Sequence, residues 1–373
     1  MKSGSSLHVY AVIMAGGISK KLWPLSRKKM PKQFVDLLGD GTMVAKTVRR
    51  ISALVREENI FIITCELGRT LLQGSLGSFS HDNIIVEPSD RNTAPCIALA
   101  TAHIKKRDPD AITIVLPADH LVQDEEAFLK IVEAGIEIAS EKKALVTIGI
   151  KADRPETAYG YIQVDVQQSI PVSFSDRRDF LLFRVKAFAE KPDAVTAAQF
   201  LESKDFYWNS GVFIWHIDAI EREFERSMPD LYKDLLAIYQ SLGSASEREV
   251  IEDVYSWIHP LSIDYGIMEK AETVFVLAGE FGWSDLGSWD EVLKVAGNRS
   301  SIAGELPDSR VLQLDCDNVF VKKTSGKVVC TIGLHDVIIV ETDDALLVCG
   351  KGHSHRVSSA VDALRREKLE EYL

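Results

Sequence analysis

The sequence predicts an α/β fold: a mixed, mostly parallel sheet over a long amino-terminal part, followed by a small β-coil, β-helix-like module. Three observations carry this expectation. Short β-branched runs alternate with longer amphipathic ones through the first half, the pattern of parallel strands with helices on both faces. That periodicity breaks after Gly149. Beyond a Gly/Asn/Ser-rich patch at Gly297–Gly304, only short, closely spaced β-rich runs remain. The first half therefore reads as Rossmann-like and doubly wound, and the expected domains are residues 1–299 and 300–373.

The elements follow in order. Strands are expected at His8–Met14, Asn59–Cys65, Asn83–Glu87, Ala111–Leu116 and Ala144–Ile150. Between them the spacing predicts helices over Thr42–Val55, the alanine-rich Thr93–Arg107, and Asp124–Ser140, whose acidic first turn suits the positive helix terminus. An extended Tyr161–Val166, a strand at Phe183–Phe188, a helix at Ala194–Ser203 and a single helical stretch from Asp218 to about Leu242 read as insertions over the carboxyl ends of the strands. Open α/β sheets bind ligands at those ends. In the last part, Asn318–Lys322, Lys327–Ile332, Val337–Glu341 and Ala345–Val348 are short strands, closed by a charged helix over Ser358–Leu373.

Composition narrows the function. A net charge of -12 argues against nucleic-acid polymers, which need a basic surface to displace phosphate counterions. One stretch opposes that average: Lys20, Lys21, Arg27, Lys28, Lys29 and Lys32 lie between Ser19 and Gln33 with no acid among them. Such a loop suits a small phosphorylated ligand. The polar residues 1–7 do not form a signal peptide, and no apolar run approaches the roughly 20 residues of a membrane helix, so a cytoplasmic protein without a membrane partner is expected. Five scattered cysteines, never as C-x-x-C, suggest buried free thiols.

Three groups of residues carry chemistry. Ala15, Gly16 and Gly17 follow the first strand, and glycines there let backbone N–H groups approach phosphate oxygens while lysines supply countercharge. No G-x-G-x-x-G or G-K-[ST] pattern follows. Asp119 ends the apolar run Val115–Ala118, and Asp285 lies in the turn Gly282–Trp289; two hard carboxylates could clamp one metal ion. Pro155–Ile162, Glu190-Lys191-Pro192 and Trp208–Phe213 place amides, hydroxyls and aromatics in loops, a mixture suited to a sugar and its phosphate.

Taken together, these segments resemble a known family across nearly the whole chain. The glycine loop through Pro31-Lys32 is similar to the signature of sugar-nucleotide pyrophosphorylases. Glu87–Pro95, Leu116–His120, Pro155–Tyr161, Trp208–Gly211, Ser262–Tyr265 with Met268–Lys270, and Gly282–Trp289 resemble bacterial-type mannose-1-phosphate guanylyltransferases. The resemblance implies a nucleotidyltransferase domain in which mannose 1-phosphate attacks the α-phosphorus of GTP, with Mg²⁺ support, giving GDP-mannose and pyrophosphate.

By that resemblance Lys21, Lys32, Asp119, Lys191 and Asp285 would be catalytic, with Asp119 and Asp285 holding the metal. Ala15, Gly16, Gly17, Lys21, Lys32, Glu87, Asn92, Thr93 and Ala94 would bind the nucleotide. Glu156, Gly160, Glu190, Lys191 and Asn209 would bind the sugar, and the protein would be a homodimer. Glu87 also has a chemical rationale, because a carboxylate accepts from guanine N1–H and N2–H₂ together, a donor pair adenine lacks. The signature loop departs from the family at Ser19, Lys20 and Lys21, the last standing where the family has arginine. The larger relatives carry an added cupin domain that this chain lacks, so isomerase activity is not expected. Alternatives that stay open are another sugar-1-phosphate nucleotidyltransferase or a non-catalytic, GDP-mannose-binding regulatory paralogue.

Overall fold

A computed structural model describes residues 8–77, 79–173, 179–298 and 310–373. Two compact units share the chain, and neither is continuous in sequence. The first takes residues up to Gly16, Thr47–Ala118 and Val122–Trp283; the second takes Gly17–Lys46, Asp119–Leu121 and residues from Ser284 onward. The boundary expected near residue 299 lies outside the described residues.

The first unit is built on one mixed sheet. Its strands are β1 (Val9–Met14), β2 (Ile60–Thr64), β3 (Ile84–Val86), β4 (Ile112–Pro117), β5 (Leu145–Lys151), β6 (Gly160–Val164), β7 (Ile170–Ser173), β8 (Asp179–Glu190), β9 (Phe206–His216) and β10 (Val274–Gly279), in the order β3-β2-β1-β4-β9-β5-β10-β8-β6 with β7 on β8. Strands β3, β2, β1 and β4 pair in parallel, as do β5 and β10. Because helices cover both faces there, β2 reads Ile-Phe-Ile-Ile-Thr with every residue buried. Strand β9 enters antiparallel between β4 and β5.

Local chemistry fixes the helices. Thr93–Arg107 starts at Asn92, which holds φ 70° and accepts the Thr93 N–H on its side chain. Glu125–Lys142 starts at Asp124, whose Oδ1 accepts from Ala127 N at 2.9 Å. The stretch expected as one helix from Asp218 is two, Ile217–Ser227 and Pro229–Ser241. Pro229 has no N–H to continue the first helix, and its fixed φ suits the first position of the next. Large side chains such as Trp215, Tyr255 and Phe224 fill the core, where truncation to alanine would cost about 3–5 kcal/mol each.

Past the strand ends the backbone pairing continues and draws one edge together. Ala15 N donates to Ile63 O and Glu87 N to Thr64 O, both at 2.8 Å, while Ala118 N donates to Met14 O at 3.0 Å. The Thr64 hydroxyl donates to Ala15 O at 2.8 Å. Ala15, Glu87 and Ala118 thus leave the carboxyl ends of β1, β3 and β4 side by side.

The second unit contains the coil, with β11 (Val311–Leu314), β12 (Phe320–Lys323), β13 (Val329–Ile332), β14 (Val337–Glu341) and β15 (Leu346–Gly350). Val311 pairs with Val329 and Phe320 with Ile338, both parallel, so each turn of the coil takes 18 residues. The corners repeat at the same interval: Asp315 and Gly333 have φ 51° and 64°, and Asn318 and Asp336 have 55° and 52°. The closing helix is shorter than expected, Val357–Arg366. Leu22, Trp23, Leu286, Trp289, Ile338 and Val340 share a core here. Of the cysteines only Cys96 is buried, correcting the expectation for the other four.

Candidate functional site

In the second unit the loop after Gly17 is held in place from several sides. The Ser26 hydroxyl donates to Ser19 O at 2.8 Å, and Trp289 Nε1 donates to Trp23 O at 2.9 Å. Arg27 forms a fork on Asp344, with both contacts at 2.7 Å. Trp23 Nε1 donates to Tyr372 O at 2.8 Å. Lys20 is paired with Asp362 at 2.9 Å, whereas Lys21 is exposed and makes no ion pair among the described residues. The two neighbouring lysines are therefore not equivalent.

Lys32 is a buried cation of this unit, only 4% exposed, and Lys46 and Lys322 are buried too. Its Nζ donates to Asp119 Oδ2 at 2.9 Å and to the backbone carbonyl of Asp285. Burial alone would raise the Asp119 carboxyl, but the Lys32 ammonium and His120 outweigh it and hold the group below the ordinary carboxylate range. Asp285 is fixed by its own turn, its Oδ1 accepting from Gly287 N at 2.9 Å. Two of the predicted residues, Asp119 and Asp285, thus converge on the ammonium of a third.

In the first unit Glu87 leaves β3 and is 8% exposed. Tyr255 donates its hydroxyl to Glu87 Oε1 at 3.0 Å, and Oε2 faces Gly16, where an added Cβ would lie 4.0 Å away. Burial pushes the Glu87 carboxyl up to about 7, with Asp90 adding to the rise and Tyr255 and the Cys96 thiol opposing it. The following segment is bound to 255–263: Arg91 Nε donates to Tyr255 O, Ala94 N to Leu261 O, and Ile263 N to the Thr93 hydroxyl. Thr93 and Ala94, expected to bind the nucleotide, have their N–H groups partnered inside the protein.

A second cluster forms where β6 begins, β8 ends and β9 bulges. Asn209 lies inside β9, not in a loop as expected, at a bulge where the register against β5 shifts between Asn209 and Phe213. The bulge includes Gly211 at φ 70°. Asn209 Nδ2 donates to Asp264 Oδ1 at 2.8 Å. Lys191, at φ 47°, donates to Glu190 Oε1 at 2.5 Å. At Gly160 a Cβ would stand 2.5 Å from Glu190 Oε2, so any side chain there would push that carboxylate aside.

Burial and the Glu190 charge raise Asp264 to about 6, against the pull of Asn209 and Lys191. Burial would lower Lys191, but Glu190 and Asp264 keep it raised. The Glu156 carboxylate is held within its own loop, by Ala158 N at 3.1 Å and Arg154 at 3.4 Å, and makes no hydrogen bond or ion pair to Glu190, Lys191, Asn209 or Asp264 among the described residues. Tyr255, Cys96 and Asp264 were not among the predicted site residues. Only Asp264 had a signal, its place in Ser262–Tyr265.

Residues 10–300 match the family model for nucleotidyl transferase. The chain belongs to this family. Residues 309–364 match the model for the MannoseP isomerase/GMP-like beta-helix domain, which covers the coil. Mannose-1-phosphate guanylyltransferase of Salmonella montevideo is 37% identical over 97% of this chain and 75% of its own length. The alginate biosynthesis protein AlgA of Pseudomonas aeruginosa is 34% identical over 95% of this chain and 71% of its own. The crystal structure of mannose-1-phosphate geranyltransferase from Thermus thermophilus aligns with 96% of this chain and all of that one, at TM-score 0.81 and 29% identity. The protein is a nucleotidyltransferase.

Members of this family generally use a divalent metal ion. In kind the donors fit a hard one, because Asp119 and Asp285 offer carboxylate oxygens, although among the described residues no group of three His, Cys, Asp or Glu gathers to hold a metal unaided. Among the described residues no helix is long and apolar enough to cross a membrane.

Proposed function

We propose that this nucleotidyl transferase moves GMP from GTP to mannose 1-phosphate, giving GDP-mannose and pyrophosphate. The observation that carries the reading is the buried Lys32 ammonium held between the Asp119 carboxylate and the Asp285 backbone. A nucleophilic phosphate needs no protein nucleophile, so catalysis reduces to positioning and charge stabilisation. Lys32 and Lys21 supply positive charge to the triphosphate, and the sugar phosphate takes Lys191. Glu87, when ionised, accepts from guanine N1–H and N2–H₂. Glu190, Asn209 and Gly160 receive the sugar, joined by Asp264, while Glu156 would have to leave its loop contacts to take part.

Asp119 and Asp285 would hold Mg²⁺, which when bound neutralises charge on phosphate oxygens. The working form is a cytoplasmic homodimer by family resemblance. The test is direct: incubate the protein with Mg²⁺, GTP and mannose 1-phosphate and follow pyrophosphate release. Turnover is expected with GTP far above ATP, and absence of pyrophosphate would reject the reading in favour of a binding protein.

A further inference from the structure

A cavity of about 610 Å³ opens in the first unit between helix Pro229–Ser241 and the segment after helix Glu247–Trp257. That volume is within the range of small-molecule sites, and none of the residues assigned above lines it. Asp234 lines the cavity at 6% exposure and accepts no hydrogen bond among the described residues. A buried carboxylate without a donor is costly, so the site favours a ligand that brings N–H groups. Trp257, also lining the cavity, leaves 60% of its surface open and offers a flat apolar face. Lys233 and Lys270 line it too, with the exposed Asp230 and His259 beside them, and neither lysine makes an ion pair among the described residues.

An acceptor for paired N–H donors, an aromatic face and two cations together match a base, its stacking surface and its phosphates. We infer that this cavity is a second guanine-nucleotide site. Adenine fits less well, because it lacks the adjacent donor pair that a carboxylate accepts.

The segment that walls the cavity also holds the Glu87 region. Trp257, Ile258, His259 and Leu261 line the cavity, while Tyr255 binds Glu87 and Leu261 exchanges backbone hydrogen bonds with Arg91 and Ala94. Nucleotide in the cavity would order this segment, so its occupancy is read out at Glu87 as a change in KM for GTP. This inference rests on the chain handling guanine nucleotides, and its test is separable from turnover.

Calorimetric titration of the whole chain with GDP, GDP-mannose and ADP supplies the binding arm. Two sites per chain are expected for the guanine nucleotides. Asp234→Asn and Trp257→Ala should each weaken one of them at least tenfold, and ADP should not fill that one. Trp257 is a surface position, so its variant keeps the test usable if the Asp234 variant fails to fold. One site per chain in the wild type, two sites untouched by both substitutions, or equal binding of ADP would overturn the assignment. A wild-type dimer that binds one nucleotide per chain and becomes monomeric in Trp257→Ala would also overturn it, giving the cavity to a second copy. GDP-mannose at concentrations filling both sites should shift the inhibition pattern against GTP away from simple competition, and Trp257→Ala should restore it. Simple competition in the wild type would overturn the coupling to Glu87. Failure of pyrophosphate release with intact double occupancy would reject the proposed reaction alone.

Discussion

Tyr255 gives its hydroxyl hydrogen to Glu87 Oε1 across 3.0 Å, where burial has already carried the carboxyl to about 7. Glu87 accepts from guanine only when ionised, so KM for GTP should rise as the pH falls through 7. Tyr255→Phe removes a donor to the charged form, about 1.5–3 kcal/mol for such a bond, which moves the acidic limb up by about one to two pH units. The pH profile of kcat/KM for GTP decides this. A loss of activity equal at every pH would show that Tyr255 serves packing alone.

Glu87→Gln tests the same carboxyl through stability. Below its ordinary value of 4.5 both folded and unfolded chains hold the proton; between there and about 7 only the folded chain does; above 7 neither does. The folded state therefore loses stability as pH rises through that window, by about 3 kcal/mol, and the loss levels off above it. The glutamine variant should gain on the wild type in melting temperature from pH 5 to pH 8. A gap of equal size at both ends would refute the assignment.

Lys32→Met should cut turnover by about 10²–10³, the usual scale for removing one preorganised charge donor. It should also release Asp119 from its depressed value toward the ordinary carboxylate range. Turnover and the titration of Asp119 by NMR give independent readings, and near-normal kcat would exclude Lys32 from the reaction.

The two adjacent loop lysines should separate by mutation. Lys20 is tied to Asp362 on an exposed surface, a pair contributing about 0.2–1 kcal/mol, so Lys20→Ala should leave KM for GTP within about twofold. Lys21→Ala should lower kcat/KM at least tenfold and Lys21→Arg should retain or raise it, since a guanidinium forks onto two phosphate oxygens. Equal effects of the two alanine variants would break the assignment of Lys21 to the triphosphate.

Lys191→Ala should raise KM for mannose 1-phosphate well above its effect on GTP. Asp264→Asn, which keeps the partner of Asn209 but replaces the carboxylate that receives the sugar by a weaker amide acceptor, should raise KM for the sugar phosphate by a smaller factor without an acid limb near pH 6. Steady-state kinetics with each substrate varied will show it, and equal changes in both KM values would reassign the cluster to stability.

Strands β1 to β5 were legible because each is an apolar run bounded by polar turns, and local pattern is enough to mark them. Strand β9 was not, because Trp208–Gly211 is rich in turn residues, and only pairing with the distant β4 and β5 makes it a strand. The break at Met228–Pro229 was visible as a proline, but the amphipathic charge pattern on both sides ran through it. Asp119 and Asp285 could be picked out as acids at strand end and turn. That Lys32 would link them depended on a tertiary fold no local window contains. Lys20 and Lys21 look identical in sequence, and Asp362, which distinguishes them, is far along the chain.

The 18-residue register of the coil sets a counting rule for this part of the gene. A duplication or deletion of one whole turn would return every inward side chain to the inside and every left-handed corner to an Asp, Asn or Gly. An odd change inside a strand would turn the apolar side chains beyond it in that strand toward water. Length variation within the module should therefore occur in whole turns or at its corners, and the coil can grow or shrink by copying while the loop that Arg27 fastens to Asp344 stays as it is.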